Sequence, residues 1–235
     1  MQSIRSAIFV SIVMVATCCT SAVAGATPPT CASQGFNSAP NAFAQGYQIT
    51  TSFDGVQSVI PSAAPSFPLV GFNFSDEAVH LYRLTPTPKE TELGWYVGLG
   101  NQTGLFVSQP HAYLSYDGTE IDGFNVNGVG GKSTNYWYTM WMVGSVVHFR
   151  VDDKLNGSVL WSISETLTSS FQAGGTATGE VWNEPSGVIP LGPSIYSSIQ
   201  QLNPDGDWVN WSSMHLCADT PYTVQQYAGN SVGNP

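Results

Sequence analysis

Charge is what this 235-residue chain has least of: Asp, Glu, Lys and Arg together make up 9% of it, against roughly 25% in ordinary soluble domains. Six Lys and Arg face 16 Asp and Glu, for a net charge of −10. That balance excludes a nucleic-acid-binding or anionic-membrane-binding surface, since both need a basic face. The four histidines (His80, His111, His148, His215) are scattered, with no HxH or HxxxH spacing and no cysteine beside them. Metal-ligand runs are therefore missing, and neither a metal nor a cofactor is assigned. There is no GxSxG turn around a nucleophilic serine. Gly128-Val129-Gly130-Gly131 reads as a connection between strands rather than a phosphate cradle. No apolar run approaches the ~20 residues of a spanning helix. No stretch keeps a helical period beyond about two turns, and no repeat recurs.

The N-terminus has the pattern of a secretory signal. Arg5 supplies the basic end, Ala7 to Ala16 the apolar stretch, and Ala22-Val23-Ala24 or Ala24-Gly25-Ala26 a small-x-small cleavage site. Residues 1–26 are read as that signal and 27–235 as one secreted domain. Cys18 and Cys19 leave with the signal, so Cys31 and Cys217 remain, near the two ends of the mature chain. In an oxidising compartment they are expected to pair. Asn73, Asn101, Asn156 and Asn210 begin glycosylation sequons.

Short segments rich in β-branched and aromatic residues dominate the rest: 56–60, 78–84, 94–99, 104–108, 112–116, 136–142, 146–151 and 158–163. Gly, Pro, Asn and Asp separate them at sandwich-like intervals. Val147, Phe149 and Val151 alternate with His148 and Arg150, as in a strand with one face in a core. Asp117-Gly118 and Asn156-Gly157 are hairpin-turn signals. The expectation is an all-β fold of two stacked antiparallel sheets, with residues 27–45 and 225–235 as loose tails.

Against that sparse charge, Glu180 and Glu184 stand out in the run Gly179-Glu180-Val181-Trp182-Asn183-Glu184-Pro185. A carboxylate among Val, Trp and Pro is desolvated, which raises its pKa and suits it to proton transfer. Upstream lie Trp95-Tyr96-Val97-Gly98-Leu99-Gly100 and Leu105-Phe106-Val107-Ser108-Gln109. Together these segments resemble the fungal glutamic peptidases (eqolisins). In that family a Trp-Val-Gly strand precedes a catalytic Gln, and a later Ala-Glu-Trp-Ile-Val-Glu run carries the catalytic Glu. Val143 to Val151 is similar to a third strand of the same family. The resemblance implies a concanavalin-like sandwich in which Glu180 is general base and Gln109 oxyanion donor. Trp95, Trp141, Trp182 and Glu184 would contact a polypeptide substrate, in acid, on a monomer. Gln109 and Glu180 would then sit on neighbouring or facing strands of one sheet. The chain departs from the family pattern where Tyr136-Trp137-Tyr138-Thr139-Met140-Trp141 lacks the Glu of a Tyr-Glu-Trp-Tyr box.

Glu120-Ile121-Asp122-Gly123-Phe124-Asn125 resembles the Glu-Ile-Asp-x-x-Glu strand of laminarinase-like glycoside hydrolases, which share the sandwich. The second carboxylate of that motif is Asn125 here, and a retaining glycosidase needs both. The alternative to a peptidase is thus a glycan-binding sandwich without catalysis, or a degenerate glycosidase.

Overall fold

A computed structural model describes residues 28–34, 42–48, 54–62, 74–83, 89–99, 106–126, 135–168, 174–182, 195–211, 214–227 and 230–233. The side chains of a few strand residues, Glu180 and Trp182 among them, fall outside this set, as do the signal region and Glu184. Apart from a short 3-10 turn at Ala32–Gln34, the described elements are strands. One sheet runs in the order β13 (His215–Ala218), β1 (Ala42–Gln48), β10 (Gly175–Trp182), β3 (Phe74–Arg83), β4 (Lys89–Leu99), β5 (Phe106–Tyr116), β6 (Thr119–Asn125). The other runs β14 (Gln225–Tyr227), β15 (Ser231–Gly233), β11 (Ile195–Leu202), β2 (Gly55–Pro61), β7 (Asn135–Val143), β8 (Val146–Asp153), β9 (Val159–Thr166), with β12 (Trp208–Asn210) also paired to β11. Every pairing is antiparallel.

Alternation along the strands explains why the sheets stack. Val79 and Leu81, Leu93, Trp95 and Val97, and Ala112 and Leu114 turn one way from the first sheet. They meet Val56 and Ile60, Tyr138 and Met140, and Val147, Phe149 and Val151 from the second. Burying each large apolar side chain is worth about 1.5–3 kcal/mol. A polar link crosses the same interior: the Tyr196 hydroxyl of β11 meets Glu77 and the Thr178 carbonyl, both from the first sheet. The architecture is a concanavalin-like jelly-roll sandwich.

The turns follow their residues. Asp117 and Gly118 join β5 to β6 with φ of 45° and 80°, the pair of positive φ values that a two-residue type I′ hairpin turn requires.

Three sequence expectations need correction. Residues 106–108 of the expected segment 104–108 and all of 112–116 are parts of one strand, β5, which continues through Pro110 by bulging, while 104 and 105 lie outside the described residues. Ala42–Gln48 is no tail but a strand, hydrogen-bonded between β10 and β13. Gln225–Tyr227 and Ser231–Gly233 also form strands, and Val232 is in the core.

Cys31 and Cys217 form a disulfide, with Cα atoms 4.8 Å apart across 186 residues. It packs with Phe43, Tyr47 and Tyr82. The Asp219 carboxylate accepts from the Cys31 amide at 2.9 Å and the Phe43 amide at 3.2 Å, so the N-terminal segment is held from two sides.

Candidate active site

The face of the first sheet turned away from the core is polar, and much of it is also buried. Registers across five strands give three adjoining rows. The first is Glu180, Asp76, Tyr96 and His111, on β10, β3, β4 and β5. The second is Thr178, Ala78, Gly94 and Tyr113, ending at Asp122 on β6. The third is Thr176, His80, Glu92 and Ser115, ending at Glu120. Residues directly opposite in such ladders share a face.

Gly94 shapes the middle row. A Cβ there would lie 2.1 Å from the Glu77 carbonyl oxygen and 2.7 Å from the Ala78 Cβ, so β3 and β4 approach as only glycine permits. Above this low spot the Tyr113 side chain reaches both neighbouring rows. Its hydroxyl makes a close contact to Asp76 Oδ2 and lies 2.9 Å from Glu92 Oε2. Tyr96 packs edge-on to Tyr113 and donates to Asp122 Oδ1 at 2.7 Å.

Burial is the main cause that pushes Asp76 up to about 7, with Glu90 and Glu120 adding like charge and the Tyr113 hydrogen bond opposing. Burial likewise pushes Glu92 up to about 8, with Glu90 and Asp76 adding to it and His80 and Tyr113 opposing. Glu90 goes the other way. Burial acts to raise it, but the His80 hydrogen bond and charge and the Tyr82 hydroxyl together hold it below the usual range. Its side chain is half exposed, and its Oε2 lies 3.9 Å from His80 Nδ1. His80 stacks flat on Tyr82, with ring centroids 5.6 Å apart. The His80 Nε2 is buried with no hydrogen-bond partner among the described residues, and no metal is assigned to this cluster.

Gln109 lies on β5 in an irregular stretch. Val107 pairs with Gly98 and His111 with Tyr96, so three residues of β5 bulge against Val97 alone. Pro110 explains the break, since it has no N–H to give the ladder. Ser108 and Gln109 are both exposed there. Gln109 and Glu180 belong to one sheet, but β3 and β4 lie between their strands. Three strand spacings put the two backbones about 14 Å apart. The neighbouring-strand expectation is therefore corrected to a same-sheet one. Glu184 lies outside the described residues, as do the side chains of Glu180 and Trp182.

Two expected substrate contacts move elsewhere. Trp95 is fully buried in the core, where its Nε1 donates to the Pro61 carbonyl at 3.2 Å. Its position on β4 gives it the opposite parity from Tyr96. Trp141 belongs to β7 in the other sheet and stacks on His148 at 4.8 Å and 13°. In β6, a one-residue excess between Asp122 and Asn125 appears in the pairing with β5. It brings Asn125 to the register position opposite His111, in line with the first row.

Sequence reasoning missed Asp76, Glu92 and Tyr113. One signal was available: Asp76-Glu77 and Glu90-x-Glu92 concentrate four carboxylates of an acid-poor chain in two successive strands.

Comparison with family models returns no match, and neither does comparison with curated proteins. Comparison of folds does. The chain is similar to scytalido-glutamic peptidase, solved with a peptide-based transition-state analogue, at a TM-score of 0.56 and 12% identity over 83% of this chain and 98% of that one. It is similar to SCP-B, an eqolisin-family peptidase solved with the tripeptide Ala-Ile-His, at 0.53 and 12% with the same coverages. The fold of this chain is thus the fold of the glutamic peptidases.

Proposed function

We propose that the chain is a secreted acid endopeptidase of the glutamic type, with Glu180 as general base and Gln109 as oxyanion donor. The observation that carries the reading is the joint one of order and place. Motifs resembling the eqolisin Gln and Glu runs occur in family order, and both fall on one sheet of a fold matched over nearly the whole length of two glutamic peptidases. In the reaction, the Glu180 carboxylate takes a proton from water as the water oxygen bonds to the scissile carbonyl carbon. The carbonyl electron pair moves onto its oxygen, where the Gln109 amide N–H donates to the oxyanion. As the C–N bond breaks, Glu180 returns the proton to the leaving amine. The peptides bound to those two structures favour a polypeptide substrate here. Glu184 and Trp182 are proposed as flanking contacts. The signal pattern and the disulfide favour secretion, and a monomer remains the proposed state.

The test is hydrolysis of unfolded protein between about pH 2 and 5, near and below ordinary carboxyl pKa values. Glu180→Gln should abolish it, because an amide is no base. Gln109→Ala should lower the rate by about 10²–10³, as loss of such donors does elsewhere. Activity that survives Glu180→Gln sinks the assignment.

One feature favours the glycan-binding alternative: the Trp141–His148 stack, whose two rings are each partly exposed on the outer face of the second sheet. An inactive wild type that binds glycans, and loses binding on Trp141→Ala, would select that reading.

A further inference from the structure

The Tyr113 hydroxyl touches two carboxyl groups, Asp76 and Glu92, and has one proton to give. Ionised carboxylates only accept. With both ionised, one contact would set a phenol lone pair against a carboxylate oxygen. One added proton resolves this: the protonated carboxyl donates to the Tyr113 oxygen, and Tyr113 donates to the other carboxylate. Asp76 is 1% exposed and its Oδ1 has no hydrogen-bond partner among the described residues, so solvent does little to stabilise its charge. Aspartate with that much burial is costly to ionise.

We propose that Asp76, Tyr113 and Glu92 form a proton-holding unit for the candidate active site, in which Asp76 is a positioning residue for Glu180, its direct register partner on β10. This inference rests on the peptidase reading for its role, but not for the existence of the unit. While the unit keeps its proton, Asp76 and Glu92 carry one negative charge between them. Once the proton leaves, a second negative charge stands in the strand beside Glu180. It opposes the oxyanion that forms when water adds to the carbonyl, because like charges in a site of low dielectric repel strongly. The upper pH limit of activity then belongs to this unit, not to Glu180.

The groups facing the unit are few. On β3 they are His80 and Tyr82, and on β4 Glu90 and Tyr96. On β5 the group is His111 and on β6 Glu120 and Asp122, and Glu180 holds the register position opposite Asp76 on β10. Of these, Glu90 is restrained by His80 and Asp122 by Tyr96. Burial first, then like charge from Glu90, raises Asp76 to about 7 and Glu92 to about 8, which agrees with at least one proton retained through the acidic range.

The experiment is infrared titration of the intact protein, following the C=O stretch of protonated carboxyl groups. A band should persist at pH 6 and fade with a midpoint between about 7 and 8. Glu92→Gln should weaken the band at pH 6 and leave the part that belongs to buried Asp76, because a Gln amide can donate to Tyr113 without a titrating proton. Tyr113→Phe keeps the ring in its packing but removes the hydrogen bond that opposes the rise of both carboxyls, so the midpoint should move up. In the same variants the alkaline limb of peptide hydrolysis should shift with the band. A wild-type band that fades near pH 4–5 like ordinary carboxyls, or a band that neither variant alters, overturns the unit. A band that behaves as expected in a protein without peptidase activity leaves the unit standing and removes the peptidase reading. A normal band change with an unmoved alkaline limb removes the role assigned to Asp76.

Discussion

Asp76 and Glu77 are adjacent in sequence, buried, and directed to opposite faces of β3, and the sheet treats them differently. Glu77 turns inward and meets Tyr196 from the other sheet, whereas Asp76 turns outward to Tyr113. The pH dependence of stability follows from the second. Asp76 is raised from 3.8 to about 7 in the folded state, so between those values the folded chain binds more protons than the unfolded one. Stability then falls as pH rises through that window. A shift of this size on a fully buried group corresponds to a loss on the order of 4 kcal/mol. Asp76→Asn should therefore flatten the curve of urea midpoint against pH between about 4 and 7. If the variant keeps the wild-type slope, the burial of Asp76 is not what governs it.

At the scale of the strand pair, Gly94 sets the distance between β3 and β4. Gly94→Ala would place a methyl group 2.1 Å from a backbone oxygen that has no room to yield. Overpacking of this kind costs about 1–3 kcal/mol, and Gly94 is also the register partner of Tyr113. Denaturant unfolding should show the loss, with the protonated-carboxyl band disturbed in the same variant. A change below about 0.5 kcal/mol, the scale of an ordinary surface substitution, would mean that the two strands part easily. The strands themselves were legible wherever one face is apolar and the other wet: Val147, Phe149 and Val151 gave β8, and Asp117-Gly118 gave the β5–β6 hairpin. β1 was not, because Phe43 to Tyr47 is buried on both faces and the positions between Phe43, Gln45 and Tyr47 are only Ala44 and Gly46, so no apolar–polar alternation shows. The continuity of β5 was hidden by Pro110, which ordinarily ends a strand. The site divides in the same way. Gln109 and Glu180 were found through local runs of sequence, whereas the contacts of Tyr113 with Asp76 and Glu92 span 37 and 21 residues and depend on register.

Over the whole molecule, the disulfide joins the first described segment to β13 and borders the candidate site. Cys217 on β13 lies opposite Gln45 on β1, whose Nε2 is 3.3 Å from the Cys217 sulfur. Gln45 accepts from Thr178 at 2.8 Å, one residue short of Gly179 and two from Glu180. Phe43, which packs against the disulfide, is also the register partner of Glu180. β1 is thus the only described strand between the crosslink and β10. Opening the bond has two expected effects. Releasing a loop with a separation of 186 residues frees the unfolded chain, for which the chain-entropy account gives roughly 5 kcal/mol as an upper figure. The N-terminal segment also loses its covalent anchor, and β1 should loosen before the core formed by β3, β4, β7 and β8. Cys31→Ser with Cys217→Ser should accordingly lower the denaturant midpoint. Hydrogen exchange at Ala44 to Tyr47 should rise more than at Leu93 to Val97. If the protein is active, activity in that variant should fall at denaturant concentrations that leave core fluorescence unchanged. Exchange that rises equally in both segments would mean that the sandwich opens as one unit and that the disulfide has no local hold on the site.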